Sequence, residues 1–351
     1  MTQKNSKFHS ILIWIITLVP VFITGLLIVF FFSYTEKIGR EEDEKIYDRY
    51  YAMIAEDSDS DFWQSVYRAA KEAGEAQNAY VEMIGETLSQ SYSTLELMEI
   101  AVNSGVDGII IAADESKEMT DLIEKAYQKN IPVITLFSDI PNSQRLSYVG
   151  VSNYNLGREY GNLILQMANS KSFSGSSIKV SILVDANVAD LGQNVLYLAI
   201  KETVEGENQK KAFNHKPIEI TPFSVDSTNS FSVEESVRNM FISKDKNLPD
   251  IVVGLNEIDT TSIYQTVVDN NAVGSVNILG YYNSESVVQG IERNVIYATV
   301  SIDTNQMGQF CIDALSEYYE FGYTSQYFTT DIYVINQNNI KKYMEGNADE
   351  N

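Results

Sequence analysis

The chain holds 351 residues, with 48 acidic and 25 basic side chains, a formal net charge of −23, two histidines and one cysteine. A surface this acidic repels nucleic-acid phosphates unless a basic cluster offsets it, and no such cluster stands in the sequence. A single cysteine excludes an internal disulfide and a cysteine-rich zinc site.

The stretch from Ile11 to Phe32 carries no charged side chain. A helix of about 20 residues crosses the ~30 Å hydrocarbon core of a bilayer, so residues 11–32 read as a transmembrane anchor between a tail at 1–10 and a juxtamembrane linker at 33–45. Pro20 and Gly25 are compatible with a helix in lipid. A cleaved secretory signal and a buried soluble helix are the alternatives. The length of the run favours retention, as does an exit at Phe31, Phe32, Ser33 and Tyr34 without a small-x-small cleavage site. The lone Cys311 is too distant to carry a lipid. Lys4 and Lys7 precede the run without an acid, whereas Lys37, Arg40, Lys45 and Arg49 beyond it are diluted by Glu36, Glu41, Glu42, Asp43 and Glu44. This weak asymmetry puts residues 1–10 in the cytoplasm and the bulk outside. That orientation rests more on the resemblance described below than on charge.

Short apolar runs follow at Tyr51 to Ala55, Gly108 to Ala113, Val133 to Phe137, Val180 to Val184, Ile251 to Leu255 and Val276 to Tyr281. They lack sustained period-two alternation and are separated by helix-compatible stretches, the pattern of parallel strands covered on both faces. Phe62, Val66, Ala69, Ala70 and Ala73 recur at helical spacing behind Asp61, a candidate N-cap. Leu95, Met98, Ala101 and Val102 form a second helical face ending at Gly105, and Met119, Leu122, Ile123 and Ala126 a third. Cys311, between Phe310 and Ile312, reads as a buried structural thiol rather than a nucleophile. The expected class is α/β with parallel-sheet cores, and the length allows two lobes. Since no long Pro/Gly linker separates consecutive domains, the backbone is expected to cross between lobes several times. Asn169 to Ser177 and Ser224 to Phe231 are polar loop passages.

Several motifs stand in a telling order: Asp59-Ser60-Asp61-Phe62-Trp63, Val106-Asp107-Gly108-Ile109-Ile110-Ile111-Ala112, and Lys129-Asn130-Ile131-Pro132-Val133-Ile134-Thr135. Tyr148-Val149-Gly150-Val151-Ser152-Asn153, Val252-Val253-Gly254-Leu255-Asn256-Glu257, Ile278-Leu279-Gly280-Tyr281-Tyr282-Asn283 and Ala298-Thr299-Val300-Ser301-Ile302-Asp303 follow. Together they resemble the type I periplasmic-binding-protein superfamily, of the ribose- and galactose-binding kind, over about Ile46 to Ile335. The resemblance implies a two-lobed α/β fold with three interlobe crossings that closes on a ligand in its cleft. The first lobe would span 46–153 and 303–325, the second 154–302 and 326–340, with a polar tail at 341–351.

The resemblance also implies where a ligand is held. Glu56, Ser60, Phe62 and Trp63 would line the first lobe's side, with Phe137, Ser138 and Asn153 nearby. Asn187, Asp190, Asn256, Tyr282 and Asn283 would face them from the second lobe, and Asp303 would stand near a hinge crossing. Aromatic faces pack on the C–H face of a sugar, while carboxylates and amides satisfy its hydroxyls. Several of these residues also have a structural alternative. Phe62 and Trp63 can close the first helix on its lobe, Asn256 can cap its strand locally, and Asp303 can cap the helix beginning near Thr304. Asn153 and Asn187 can stabilise turns, Glu56 and Asp190 can pair internally or stay solvated, and Tyr282 can brace the cleft.

The chain departs from the family pattern in three places. Phe137-Ser138 stands where many relatives carry an Asp-Arg pair, so a charge-assisted clamp on sugar hydroxyls is absent there. Asp190 occupies the region where the second lobe commonly presents an arginine, and Tyr282 replaces a common aspartate. Ribose or galactose is therefore not assigned. His9 and His215 belong to no nucleophile-base constellation, and neither a phosphate loop nor a complete dinucleotide fingerprint is present, so no cofactor is expected. Asp57, Asp59 and Asp61 lack the glycine and terminal glutamate of a calcium loop, so no metal is expected either. The implied function is reversible extracellular binding of a sugar or sugar-like molecule, with lobe closure coupled to a membrane sensor histidine kinase. The alternatives are the substrate-binding component of a carbohydrate ABC transporter, serving a permease, and a carbohydrate-active enzyme.

Overall fold

The computed structural model describes residues 24–30, 46–86, 92–186, 191–208, 216–242 and 248–348. The chain divides into two compact units, 1–48 and 49–351. In the first, residues 24–30 are an exposed stretch of helix, and the rest of the expected anchor lies outside the described residues. Among the described residues no helix is long and apolar enough to cross a membrane.

The second unit opens with β1 (Arg49–Ile54), α1 (Asp61–Ala76), β2 (Ala79–Met83), α2 (Thr94–Ser104), β3 (Gly108–Ile111), α3 (Lys117–Gln128), β4 (Val133–Leu136) and β5 (Ser147–Gly150). It continues through α4 (Asn153–Ser170), β6 (Ile178–Asp185), α5 (Leu191–Asn208), β7 (Ile218–Val225), α6 (Ser230–Ile242), β8 (Ile251–Val253), α7 (Glu257–Asp269), β9 (Asn277–Tyr281), α8 (Glu285–Glu292) and β10 (Ile296–Ile302). It ends with α9 (Thr304–Phe321), β11 (Tyr327–Thr329), β12 (Ile332–Asn336) and α10 (Ile340–Ala348). One sheet, ordered β11-β5-β4-β3-β1-β2, is parallel throughout. The other, ordered β12-β10-β9-β8-β6-β7, is parallel except for β12.

Every residue of β3, β4, β8 and β9 is buried, because helices cover both faces of each sheet. The α1 N-cap is Ser60 rather than Asp61: the Ser60 hydroxyl accepts the Trp63 N–H at 3.3 Å, and Asp61 becomes the first helical residue, where its charge suits the helix dipole. Gly105 ends α2 with a left-handed backbone, as its position after the apolar face predicts. At Gly308, α9 meets α1 so closely that a Cβ would lie 2.5 Å from both Val66 O and Ala70 N. Cys311 is buried in the same helix, and burial pushes its thiol pKa up.

The backbone leaves the first sheet after β5, returns after β10 through α9, and crosses again after β11. Tyr327, Phe328 and Thr329 pair with Tyr148, Val149 and Gly150, which keeps them in the first sheet. The last crossing therefore falls at Thr330 and Asp331, downstream of the boundary expected at 326.

Candidate functional site

Ser60 ends the loop after β1, so Phe62 and Trp63 project from the first turn of α1, edge to face with ring centroids 5.1 Å apart. Phe137 follows β4 and Tyr282 follows β9, and both adopt left-handed backbones, with φ of 69° and 64°. Each keeps its N–H in the adjoining ladder, Phe137 to Val149 O and Tyr282 to Val300 O, both at 2.9 Å. A bulky residue held this way costs about 1–3 kcal/mol, and such strain clusters at functional positions. The Phe62 ring meets Phe137 at 5.6 Å and Tyr282 at 5.1 Å, edge to face with interplanar angles of 65° and 86°, and Tyr281 at 6.4 Å. Phe137 also meets Tyr281 at 6.3 Å. Rings from the C-terminal strand ends of both sheets thus converge on one helix N-terminus, the place where open α/β sheets seat ligands.

Polar groups join the lobes at the same place. The Tyr282 hydroxyl donates to Asp61 O at 3.3 Å, and burial pushes its pKa up to about 12. Glu257 opens α7 half-buried, with the Ser284 hydroxyl and the Phe62 backbone close enough to favour its charged form. Burial raises its pKa, and repulsion from Asp61 and Asp57 adds to the shift. Asn256 caps α7: its Oδ1 accepts the Asp259 N–H at 2.7 Å, and its Nδ2 donates to Asp259 Oδ2 at 3.0 Å. Asp259 is 1% exposed. Burial pushes its carboxyl up to about 7, with Asp185 adding repulsion, and Asn256 and the Leu255 backbone steady the charged form. Its Oδ1, like the buried Tyr281 hydroxyl, finds no hydrogen-bond partner among the described residues.

Of the residues singled out by sequence, the fold brings Phe62, Trp63, Phe137 and Tyr282 into one cluster, with Asn256 beside Glu257 at its edge. Glu56 is exposed in the loop after β1. Ser60 spends its hydroxyl on the α1 cap. Ser138 is exposed next to Phe137, its N–H turned back to Leu136 O at 2.8 Å. Asn153 opens α4 at the first crossing, behind the Ser152 cap. Asn283 is engaged elsewhere: it accepts from the Ser301 hydroxyl and donates to the Tyr343 hydroxyl. Asp303 caps α9 through the Gln306 N–H at 2.8 Å and accepts the Tyr333 hydroxyl at 2.8 Å, bracing a crossing. Asn187 and Asp190 lie outside the described residues.

Glu257, Asp259 and Tyr281 are the additions that only the structure reveals. Their signal in the sequence is Asn256-Glu257-Ile258-Asp259 directly after an apolar run, which sets acids at the first and third helical positions against a strand end. A separate concavity lined by Tyr92, Glu96, Glu99, Ile100, Asn103 and Ser104 lies on the outer face of α2 and shares no residue with the ring cluster.

Solved structures repeat this architecture. A glucose-galactose binding protein from Geobacillus stearothermophilus matches with a TM-score of 0.71 at 21% identity, covering 83% of this chain and 98% of its own. The XylFII–LytSN complex matches at 0.68 and 21%, covering 83% and 98%. The sugar-binding protein of a sugar ABC transporter from Bacillus halodurans matches at 0.68 and 20%, covering 84% and 100%. At these identities the likeness concerns the fold. Residues 51–322 match the profile of the periplasmic binding protein domain, and the chain belongs to that family.

Proposed function

We propose that the chain binds a sugar or sugar-like molecule reversibly between its lobes, releases it unchanged, and works outside the cell, tethered by residues 11–32. The ring cluster carries this reading: Phe62 of one lobe meets Tyr281 and Tyr282 of the other, so an inserted sugar ring would find an aromatic face on each side. Contacts made on both sides exist only in the closed arrangement, so ligand shifts the population toward closure.

Closure then reshapes a surface docked to a membrane sensor kinase. That one structural relative is a XylFII–LytSN complex supports coupling to a protein partner. Delivery to a permease is the second reading, favoured by the relative that serves a sugar ABC transporter. Calorimetric titration of the purified full-length chain with a panel of monosaccharides tests the binding claim, and mass analysis of the mixtures tests for conversion. Saturable binding with unchanged sugar is expected. Absence of binding across the panel, or a new product mass, contradicts the proposal. A bound sugar that leaves kinase association unaltered would remove the signalling part alone.

A further inference from the structure

The segments that join each parallel strand to its following helix are 55–60, 84–93, 112–116, 151–152, 186–190, 226–229, 254–256, 282–284 and 303. None contains a lysine or arginine. They carry Glu56, Asp57, Asp59, Glu86 and Asp114, whereas Lys129, Lys171, Lys216 and Arg293 stand in the segments that join helix to strand, at the opposite ends of the sheets. The two sheets meet through their strand-to-helix ends, where the rings converge. The junction is therefore negative beyond the acidity of the whole chain.

Helix N-termini favour acids, which accounts for Glu257 as the first residue of α7. The same preference covers Asp61 as the first residue of α1, but not the meeting of the two helix ends across the junction, where the Tyr282 hydroxyl donates to Asp61 O and Asp57 and Asp61 repel Glu257, so that closing the lobes brings like charges together. Nor does it account for the Tyr281 hydroxyl, which is buried and has no hydrogen-bond partner among the described residues. The Tyr281 ring packs against Phe62 and Phe137 of the opposite lobe, which puts it at the junction itself. Aromatic rings edged by carboxylates, with no cationic side chain in the strand-to-helix segments and with Arg145 of the β4–β5 connection tied to Asp139, form a surface that attracts a cation through both ring quadrupoles and charge. A neutral sugar satisfies the rings and leaves the repulsion in place; an ammonium relieves it.

We propose that the ligand is a saccharide carrying a protonated amine, held with its ammonium toward Glu257, Asp57 and Asp61 and its ring among Phe62, Phe137 and Tyr282. The inference rests on the sugar-binding reading above and narrows it.

The test pairs each amine with its hydroxyl parent and its uncharged amide. Glucosamine, glucose and N-acetylglucosamine, with the galacto and manno counterparts, are titrated into the full-length chain by calorimetry at pH 7, alongside choline and putrescine. At least one amino sugar is expected to bind tenfold or more tightly than its parent and its N-acetyl form. That preference should shrink to under about threefold in Glu257→Gln and weaken with added salt. Asp61→Asn, an exposed site, serves as the second variant if Glu257→Gln melts early, and the same shrinkage is expected. Neutral parents that bind as tightly as the amines overturn this inference and leave sugar binding standing. No binding by any saccharide overturns both, and so does tighter binding of choline or putrescine than of every amino sugar. An amine preference untouched in both variants overturns the assignment to this junction.

Discussion

Phe137 and Tyr282 stand at matching strand ends in opposite sheets, both left-handed and both edge-on to Phe62. The backbone strain at each is offset by the ladder around it, and the return is a ring aimed at the other lobe. Asparagine tolerates the left-handed region, so Phe137→Asn relieves strain while removing the ring. Stability should stay within about 1 kcal/mol of the parent, because relief offsets the lost burial of a partly buried ring. Ligand affinity should fall about three- to tenfold, the worth of an aromatic contact. Thermal melts and calorimetry read the two effects separately. An unstable variant with full affinity would contradict the assignment.

Trp63 supplies a reporter. The chain has two tryptophans, Trp14 and Trp63, and Trp63 touches both Phe62 and Phe137. In Trp14→Phe, ligand should change the intrinsic fluorescence saturably, with a midpoint equal to the calorimetric one. A flat titration with a ligand that binds by calorimetry would place the ligand away from Trp63.

Asp259 sets a pH dependence. Its folded pKa, about 7, lies above its ordinary value of 3.8, so the folded state holds more protons than the unfolded between those values. Stability from this group is therefore full below the unfolded value and is lost as pH rises toward 7. The ligand-free protein should melt lower at pH 8 than at pH 5.5, by the equivalent of a few kcal/mol at most. Glu257, also raised, acts in the same direction. Asp259→Asn keeps an amide beside Asn256 and should flatten much of that slope. An unchanged slope would show that another group sets it.

Gly308 tests the helix pair under the first lobe's share of the site. A Cβ there meets backbone rather than a flexible side chain, so α9 must move from α1. Gly308→Ala should cost about 1–3 kcal/mol. A melting temperature equal to the parent's would mean that α1 and α9 sit farther apart.

Much of the fold is legible in the sequence because its central strands are uninterrupted apolar runs, as β3 and β8 show. Edge strands are harder. β7 alternates irregularly between buried and exposed positions and carries Pro222, and the three-residue β11 has no apolar pattern of its own. Only its pairing with β5 places it, which is why the final crossing lies later than expected.

At the site, Phe62, Trp63, Phe137 and Tyr282 are visible as aromatics next to polar loop residues. Tyr281 hides as the last residue of a strand. Asn283 and Asp303 look as polar as the others in the sequence, and only the three-dimensional contacts commit them to Ser301, Tyr343, Gln306 and Tyr333. Burial of Asp259 is equally invisible to spacing, since an acid at the third position of a helix is ordinarily an exposed partner of its cap.

A crystal structure of the full-length chain grown with the tightest-binding saccharide of the panel is the most direct measurement. It should show the sugar ring between Phe62 and Tyr282, with Phe137 against it and the Glu257 carboxylate within hydrogen-bond distance. A saccharide seated on the outer face of α2, or one that leaves the ring cluster packed on itself, would contradict the account.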